Sequence, residues 1–198
     1  MKNLREEITF MMIKPDGVRR GLTGEIIKRI EKVGLKIVAL EMSMPTRELI
    51  DNHYPKDEKW ITRVGEKTSN TYAKFEMDLQ QELGTTDPFE IGNMVRSWLV
   101  DFMASGPVVK MIIKGVHAIT MVRKMAGPTM PVDAELGTIR GDFSIDSPAI
   151  ANMEKRPVFN LVHASETPEE AEHEIKHWFG GVKLQDYQRT DDAVFAKP

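Results

Sequence analysis

Short, nearly continuous apolar runs alternate along this chain with segments in which apolar residues recur every three or four positions. The continuous runs predict four buried strands, at residues 8–13, 35–44, 108–113 and 158–162. The helical periodicity predicts helices at residues 23–34, 87–103 and 116–124 and after residue 167. Side chains that can cap a helix precede or open several of these segments, and the predicted caps are Thr23, Thr46, Asp87 and Thr167.

The order of these elements predicts an α+β fold. A β-α-β unit is followed by a polar segment and a second β-α-β unit, which is the order of a ferredoxin-like split βαβ sandwich. We therefore predict a four-stranded antiparallel sheet with helices on one face. Between Tyr54 and Phe89 the apolar content is thin, so residues 56–88 are interpreted as an insertion of one or two surface helices. The chain is predicted to form a single domain over residues 1–198.

The composition is typical of a globular protein from a reducing compartment. The chain has 198 residues, a net charge of −3 and no long basic run, which does not favour nucleic-acid binding through a charged surface. It has no cysteine, so disulfides and thiolate chemistry are excluded. No apolar run approaches the ~18 residues that span a bilayer, and the charged N-terminus lacks the core of a signal peptide. We expect a cytoplasmic protein that binds neither nucleic acid nor membrane.

Histidine, carboxylate and cationic side chains lie at the ends of the predicted elements. His163 follows the fourth predicted strand, and Glu174 lies on the last predicted helix, from which it could orient an imidazole nucleophile. Lys14, Arg123 and Arg140 end elements or lie in a glycine-flanked loop, where they could bind phosphate. Taken singly, each of these side chains is also typical of packing or of a solvated surface. The glycine motifs of P-loop and Rossmann nucleotide sites do not occur.

A competing motif lies on the last predicted helix. Residues 173–177 match the H-E-x-x-H signature of zinc peptidases. At about 100° per residue, however, His173 and His177 fall opposite the apolar stripe of the helix and are predicted to face water. A catalytic zinc site needs both histidines in a shielded cleft with a third ligand, so a zinc peptidase is the less favoured interpretation. Glu174 is predicted on the flank between the two faces, within reach of a pocket.

Several motifs, in this order, resemble the nucleoside diphosphate kinase family. They occupy residues 10–21 (FMMIKPDGVRRG), 22–29 (LTGEIIKR), 105–109 (SGPVV), 137–143 (GTIRGDF) and 160–165 (NLVHAS). The resemblance implies a Mg²⁺-dependent phosphotransferase. Such an enzyme would move the γ-phosphate of ATP to nucleoside diphosphates in a ping-pong reaction with a phosphohistidine intermediate.

The resemblance also implies a role for each matching residue. His163 would be the phosphorylated nucleophile, Glu174 would position its ring and Ser165 would support that pair. The nucleotide phosphates would be bound by Lys14, Tyr54, Arg123, Thr129 and Arg140. Asn160 would reach the ribose together with Lys14. The Mg²⁺ ion would be carried by the phosphates, with no metal site in the protein, and the family implies a homo-oligomer, either a hexamer or a tetramer.

The principal departure from the family pattern is the insertion. In the family an aromatic side chain from this region stacks on the base, and counting back from residues 106–107 places Val95 at that position. Trp60 or Phe89 could supply the stacking instead, and the sequence does not distinguish between them. This departure keeps a second hypothesis open, namely a nucleotide-binding or oligomeric interaction protein with weak catalysis.

Overall fold

A four-stranded sheet forms the centre of the computed structural model, which describes residues 6–190 and Asp192. The strands are β1 (Glu7–Ile13), β2 (Lys36–Ser43), β3 (Val108–Gly115) and β4 (Val162–Ala164). Their order is β2-β3-β1-β4, and every neighbouring pair is antiparallel. Together with the crossing helices, this topology confirms the predicted ferredoxin-like split βαβ fold.

Helices occupy most of the chain between the strands. They are α1 (Pro15–Arg19), α2 (Thr23–Lys32), α3 (Arg47–His53), α4 (Glu58–Lys74), α5 (Leu79–Leu83), α6 (Pro88–Met103), α7 (Ala118–Ala126), α8 (Ile139–Phe143), α9 (Pro148–Met153) and α10 (Pro168–Phe179), with a 3₁₀ turn at Pro131–Asp133. Among the described residues, no helix combines the length and the apolarity needed to cross a bilayer.

Side-chain caps explain where many of these helices begin. The oxygens of Thr46, Asp87 and Thr167 each accept a backbone N–H from the first turn of the following helix, as predicted. Thr23 differs from the prediction, because it is the first helical residue of α2 and no side chain caps that helix. Local sequence chemistry therefore fixed three of the four predicted helix starts.

Helices cover both faces of the sheet. Alternate residues of β1 point to opposite faces, so Met11 and Ile13 pack with α2 and α7. These two helices are the ones expected from the βαβ units. Phe10 and Met12 pack on the opposite face with α3, α6 and α10. The prediction of helices on one face thus needs one addition, because the second face is also buried and carries α10 close to the end of β1.

The insertion has a small apolar core of its own. Tyr72, Leu83 and Ile91 are buried together between α4, α5 and α6. The backbones of α4 and α6 meet closely at two glycines, since a Cβ added at Gly65 would lie only 1.8 Å from the Pro88 carbonyl oxygen and one at Gly92 only 2.0 Å from that of Ile61. The expectation of thinly apolar surface helices was therefore incomplete: α4 and α5 exist, but α4 packs on α6 through glycine contacts, and Tyr72 of α4 is buried.

The fourth strand is shorter and later than predicted. It begins at Val162 instead of Val158, so His163 lies within the strand and pairs with Met12. Leu161 adopts a left-handed backbone conformation (φ 68°), and its backbone N–H donates a hydrogen bond of 3.0 Å to Oδ2 of Asp16. These two features interrupt the strand because Leu161 cannot continue the extended ladder. The apolar run at 158–162 reflects burial of this segment and not an unbroken strand.

Candidate active site

His163 projects from the middle of the short strand β4 with a side chain that is 22% exposed. Its Nε2 lies 2.6 Å from Oε1 of Glu174. At this distance Nε2 is in contact with the carboxylate, but the contact does not have the geometry of a hydrogen bond. A carboxylate at this nitrogen favours the proton on Nε2 and leaves the lone pair of the imidazole on Nδ1.

Glu174 is buried even though it carries a carboxylate. It lies on the same face of α10 as Ala171 and Trp178, three residues before and four residues after it, and both are buried. Its Oε2 accepts a hydrogen bond of 2.6 Å from the Ser165 hydroxyl, and Oε1 faces His163. The prediction placed Glu174 on the flank of the helix; the structure turns it further inward, where both oxygens have a partner, as a buried carboxylate requires.

A cationic cavity of about 210 Å³ borders the ring of His163. Five of the predicted nucleotide-binding residues line it together with His163: Lys14, Arg123, Thr129, Arg140 and Asn160. They come from the ends of β1 and α7, from the loop after α7, from α8 and from the segment before β4. The fold thus brings together residues that are separated by up to 146 positions in the chain.

Lys14 and Asn160 form a pair inside this cavity. Lys14 Nζ donates to Asn160 Oδ1 at 2.8 Å, and Asn160 Nδ2 donates to the Thr129 carbonyl oxygen at 2.9 Å. Burial, followed by the nearby charge of Arg140, lowers the pKa of Lys14 to about 8, while Asp16 opposes this effect. In the free protein, the Lys14 ammonium therefore loses its proton at a lower pH than an ordinary lysine does.

Arg140 is buried and is largely occupied by the backbone. Its guanidinium donates to carbonyl oxygens on both sides of the cavity, those of Gly127 (2.6 Å), Pro128 (3.3 Å), Asn160 (3.1 Å) and Val162 (2.7 Å). Burial and the neighbouring charge of Arg123 lower the pKa of Arg140 to about 10. Four of the five N–H donors of an arginine are thereby engaged, so Arg140 joins the loop after α7 to the segment before β4 and has one donor left for a ligand.

Arg123 is the most accessible cation of the cavity. Its Nη2 lies 2.9 Å from Glu166 Oε1, and both side chains are largely exposed. An exposed ion pair contributes about 0–1 kcal/mol, so an incoming phosphate could replace Glu166 at little cost. Glu170, the other carboxylate at this cavity, accepts a hydrogen bond from the Glu166 N–H.

A second cavity, of about 410 Å³, touches His163 and is rich in aromatic side chains. Tyr54, Trp60, His53 and Glu174 line it. Burial raises the pKa of the Tyr54 hydroxyl above its usual range, so that it stays protonated and can donate. Of the two aromatic residues considered for base stacking, Trp60 lines this cavity and Phe89 does not, and Val95, at the position counted back from residues 106–107, does not line it either.

His53 is the site residue that sequence reasoning missed. Its ring contacts that of His163, with centroids 5.0 Å apart, and its Nδ1 lies 3.7 Å from Glu174 Oε1. Its place beside Tyr54 in the sequence was the only available signal. Among the described residues, His53, His163 and Glu174 form the one group with the spacing of a metal site. Two of the three are already engaged in hydrogen bonds, however, because Trp178 donates to His53 Nδ1 and Ser165 donates to Glu174 Oε2.

The two histidines of the H-E-x-x-H motif do not converge, because His173 lines the second cavity with Glu174 whereas His177 does not. His173 is exposed, and Nε2 of His177 lies 2.8 Å from the Leu49 carbonyl oxygen. Glu174 points into the core between them. The two histidines therefore lack the converging geometry of a zinc peptidase, in line with the helical-wheel prediction for His173, although His177 is half-buried and not fully exposed.

Comparisons with known proteins agree on one family. The family model described as nucleoside diphosphate kinase matches residues 7–61 and 92–184, leaving most of the insertion unmatched. A nucleoside diphosphate kinase from Pyrobaculum aerophilum is 51% identical over 87% of this chain and 94% of its own length, and one from Archaeoglobus fulgidus is 38% identical over 94% and 95%.

Solved structures give the same result. The crystal structure of an NDP kinase from Pyrobaculum aerophilum has a TM-score of 0.85 at 50% identity and covers 88% of this chain and 96% of its own. A nucleoside diphosphate kinase from Borrelia burgdorferi, a transition-state mimic with bound vanadate and ADP, has a TM-score of 0.77 at 32% identity and covers 97% and 98%. The chain is therefore an enzyme of the nucleoside diphosphate kinase family, a phosphotransferase that acts on nucleotides.

Proposed function

We propose that the chain transfers the γ-phosphate of ATP to nucleoside diphosphates through a phosphohistidine at His163. The observation that carries this proposal is the position of the imidazole: Glu174 lies at Nε2, while the ring borders a cavity lined by three cations, Lys14, Arg123 and Arg140. An oriented neutral imidazole beside clustered positive charge is what nucleophilic attack on a phosphoryl group requires.

Each half-reaction exchanges one bond for another. Nδ1 of His163 attacks the γ-phosphorus, the bond from that phosphorus to the bridging oxygen breaks, and the nucleoside diphosphate leaves with the electron pair. The ring then carries a positive charge because Nε2 keeps its proton, and the buried carboxylate of Glu174 stabilises that charge. Ser165 holds the other oxygen of Glu174. A second nucleoside diphosphate reverses the sequence, which gives ping-pong kinetics.

The remaining site residues bind the nucleotide in this proposal. Lys14, Arg123, Arg140, Thr129 and Tyr54 hold phosphates, and Asn160 with Lys14 reaches the ribose. Their convergence on the two cavities that touch His163 supports these roles. Arg140 contributes its one unengaged N–H and, through its carbonyl contacts, the shape of the cavity.

The donor set fits a Mg²⁺ ion that arrives on the nucleotide. The carboxylates at the cationic cavity, Glu166 and Glu170, are each engaged by a neighbour, so the described residues offer no ready cage of oxygen ligands. Bound to the phosphates, Mg²⁺ would neutralise charge on the leaving diphosphate. Lys14, Arg123 and Arg140 supply the protein's share of that neutralisation.

We further propose a cytoplasmic homo-oligomer, with the hexamer or tetramer that the family resemblance implies. Large apolar side chains exposed on the described surface support the association, among them Leu136 (87% exposed) and Ile145 (98%). Sedimentation of the purified protein would test it, and a monomer at micromolar concentration would exclude it.

The test of the phosphohistidine is incubation with γ-labelled ATP and Mg²⁺ without acceptor, followed by a chase with GDP. We expect an acid-labile, base-stable label on the wild type that passes to GDP, and none on His163→Ala with an unchanged melting temperature. The exposed histidine His117 provides the matched control, as His117→Asn should label normally. Substantial nucleotide exchange by His163→Ala would reject the mechanism, and nucleotide binding without label on the wild type would favour weak catalysis.

A further inference from the structure

The ring of His53 forms one wall of the space in which the His163 ring can turn. The two ring planes are perpendicular, and their centroids are 5.0 Å apart. Phe10 contacts the His163 ring as well, at 6.0 Å between centroids. His53 ends α3, and only 8% of its side chain is exposed. The position of the His163 ring therefore depends on a side chain to which no step of the proposed reaction assigns a role.

His53 is itself firmly held. Trp178 Nε1 donates to His53 Nδ1 at 3.3 Å, which places the proton of the neutral His53 ring on Nε2. Trp178 is buried, and its carbonyl oxygen accepts a hydrogen bond of 2.5 Å from Lys110 Nζ. Its indole also stacks on Phe10, with a centroid distance of 6.2 Å. The wall beside His163 is thus fixed to β1, β3 and α10 at once.

The protonation state of His53 determines whether the Glu174 carboxylate interacts with His163 alone. His53 Nδ1 lies 3.7 Å from Glu174 Oε1, so a protonated His53 would compete for the carboxylate that faces His163. Burial lowers the pKa of His53 well below its usual value, and the nearby groups His163, Lys14, His177 and His173 lower it further. Glu174 is the carboxylate that faces His53 from α10. At neutral pH His53 is consequently uncharged.

We infer that His53 is a positioning residue for phosphoryl transfer, which fixes the ring plane of His163 and leaves the Glu174 carboxylate to that ring. The inference rests on the proposed function of His163. Transfer needs the Nδ1 lone pair in line with the bond that breaks, and loss of such orientation by about 1 Å costs on the order of 100-fold in rate. His53 acts through the His163 ring in this mechanism.

Two substitutions separate the ring of His53 from its hydrogen bond. His53→Phe keeps a ring against His163 but leaves the buried N–H of Trp178 without an acceptor, so it should lose stability and retain the rate of phosphorylation. His53→Asn keeps an acceptor for Trp178 but removes the ring, so it should retain stability and lose rate. His53→Ala loses both. A merely structural role would make rate and stability fall together.

The measurement is the single-turnover rate of His163 phosphorylation by γ-labelled ATP and Mg²⁺, together with the ADP dissociation constant and the melting temperature of each variant. We expect about 10- to 100-fold slower labelling of His53→Ala and His53→Asn, with the dissociation constant within about twofold of wild type. His117→Asn is the control, since His117 is an exposed histidine whose left-handed backbone (φ 50°) asparagine tolerates.

Wild-type labelling rates in His53→Asn would overturn the inference, as would an equal loss of rate and ADP affinity. If His53→Ala does not fold, the comparison of His53→Phe with His53→Asn carries the test. Failure of the proposed function would look different, because His163→Ala would then still become labelled or still exchange phosphate.

Discussion

Glu174 illustrates, at the scale of single residues, how a charged group becomes useful by being buried. Removing a carboxylate from water costs several kcal/mol unless its oxygens find donors. Ser165 donates to one oxygen and the His163 ring lies 2.6 Å from the other, so the charge is held beside the ring that becomes positive during phosphoryl transfer. The sequence named this pair, but the depth of its burial followed only from the packing of α10.

The unusual acidity of Lys14 predicts a pH dependence of nucleotide binding. Its pKa of about 8 in the free protein means that the charged form, which phosphates prefer, is lost as pH rises through 8. The dissociation constant for ADP should therefore increase above pH 8, approaching about tenfold per pH unit if binding requires the charged amine. Calorimetric titrations between pH 6.5 and 9.5 measure this. In Lys14→Met the affinity should be weak and the inflection absent; a wild-type constant unchanged up to pH 9.5 would contradict the assignment.

Trp60 should contribute to binding of the base. It lines the second cavity beside His163, whereas Phe89 does not. Stacking of a base on an aromatic side chain contributes about 1–3 kcal/mol, so Trp60→Ala should raise KM for nucleoside diphosphates about 5- to 150-fold with little change in kcat. Phe89→Ala is the matched control, and steady-state kinetics with GDP compares the two. Equal KM values in both variants would show that Trp60 does not contribute to binding of the base.

At the scale of elements, the close pairing of α4 with α6 holds the insertion in place. The Gly65 and Gly92 backbones allow this approach, and Tyr72 of α4 donates to the Asn152 carbonyl oxygen of α9 at 3.1 Å. Arg96 of α6 then donates to the carbonyl oxygens of Asp51, Tyr54 and Pro55. The insertion is thereby connected to the segment that carries Tyr54 into the site.

Gly65→Ala should be strongly destabilising because its Cβ would overlap the Pro88 carbonyl oxygen and force the two helices apart. We expect a loss of about 2–4 kcal/mol in the free energy of unfolding, at the upper end of overpacking effects. Gly24→Ala in α2 meets no atom within 4 Å and should stabilise by about 0.5–1 kcal/mol. Urea denaturation of both variants measures the difference, and a Gly65→Ala protein as stable as wild type would show that α4 and α6 do not meet as described.

At the scale of the whole molecule, α6 belongs to two apolar clusters. Its residue Ile91 lies in the core of the insertion, while Val100 and Met103 lie in the core between the sheet and α10. A continuous helix of 16 residues links the two. We therefore expect the insertion and the sheet to unfold as one unit, which corresponds to a single domain over residues 1–198.

Hydrogen exchange under native conditions tests this expectation. Amides of α4 should exchange through the same opening as those of β1 and β3, and thermal unfolding should show one transition. Addition of ADP at about 100 times its dissociation constant should raise the stability of all of them together, by about 2.7 kcal/mol. An early transition confined to α4 and α5 would instead identify the insertion as a separate unit.

Features that depend on neighbouring residues could be predicted without the fold. The apolar runs of β1 and β3, the caps Thr46, Asp87 and Thr167, and the motifs around Lys14 and His163 are local patterns, so the elements and the family followed from them. The pairing of His163 with Glu174 could also be inferred, because strand and helix are consecutive in the chain.

Features that depend on contacts between distant segments could be seen only in the folded chain. The Asp16 carboxylate accepts a hydrogen bond from the Leu161 N–H, and β4 begins only after Leu161. The guanidinium of Arg140 donates to four carbonyl oxygens, and α3 places His53 against His163. Each of these contacts joins residues whose separation leaves no periodicity or motif to read. Their geometry is set by the packing of helices on both sheet faces, which no local pattern specifies.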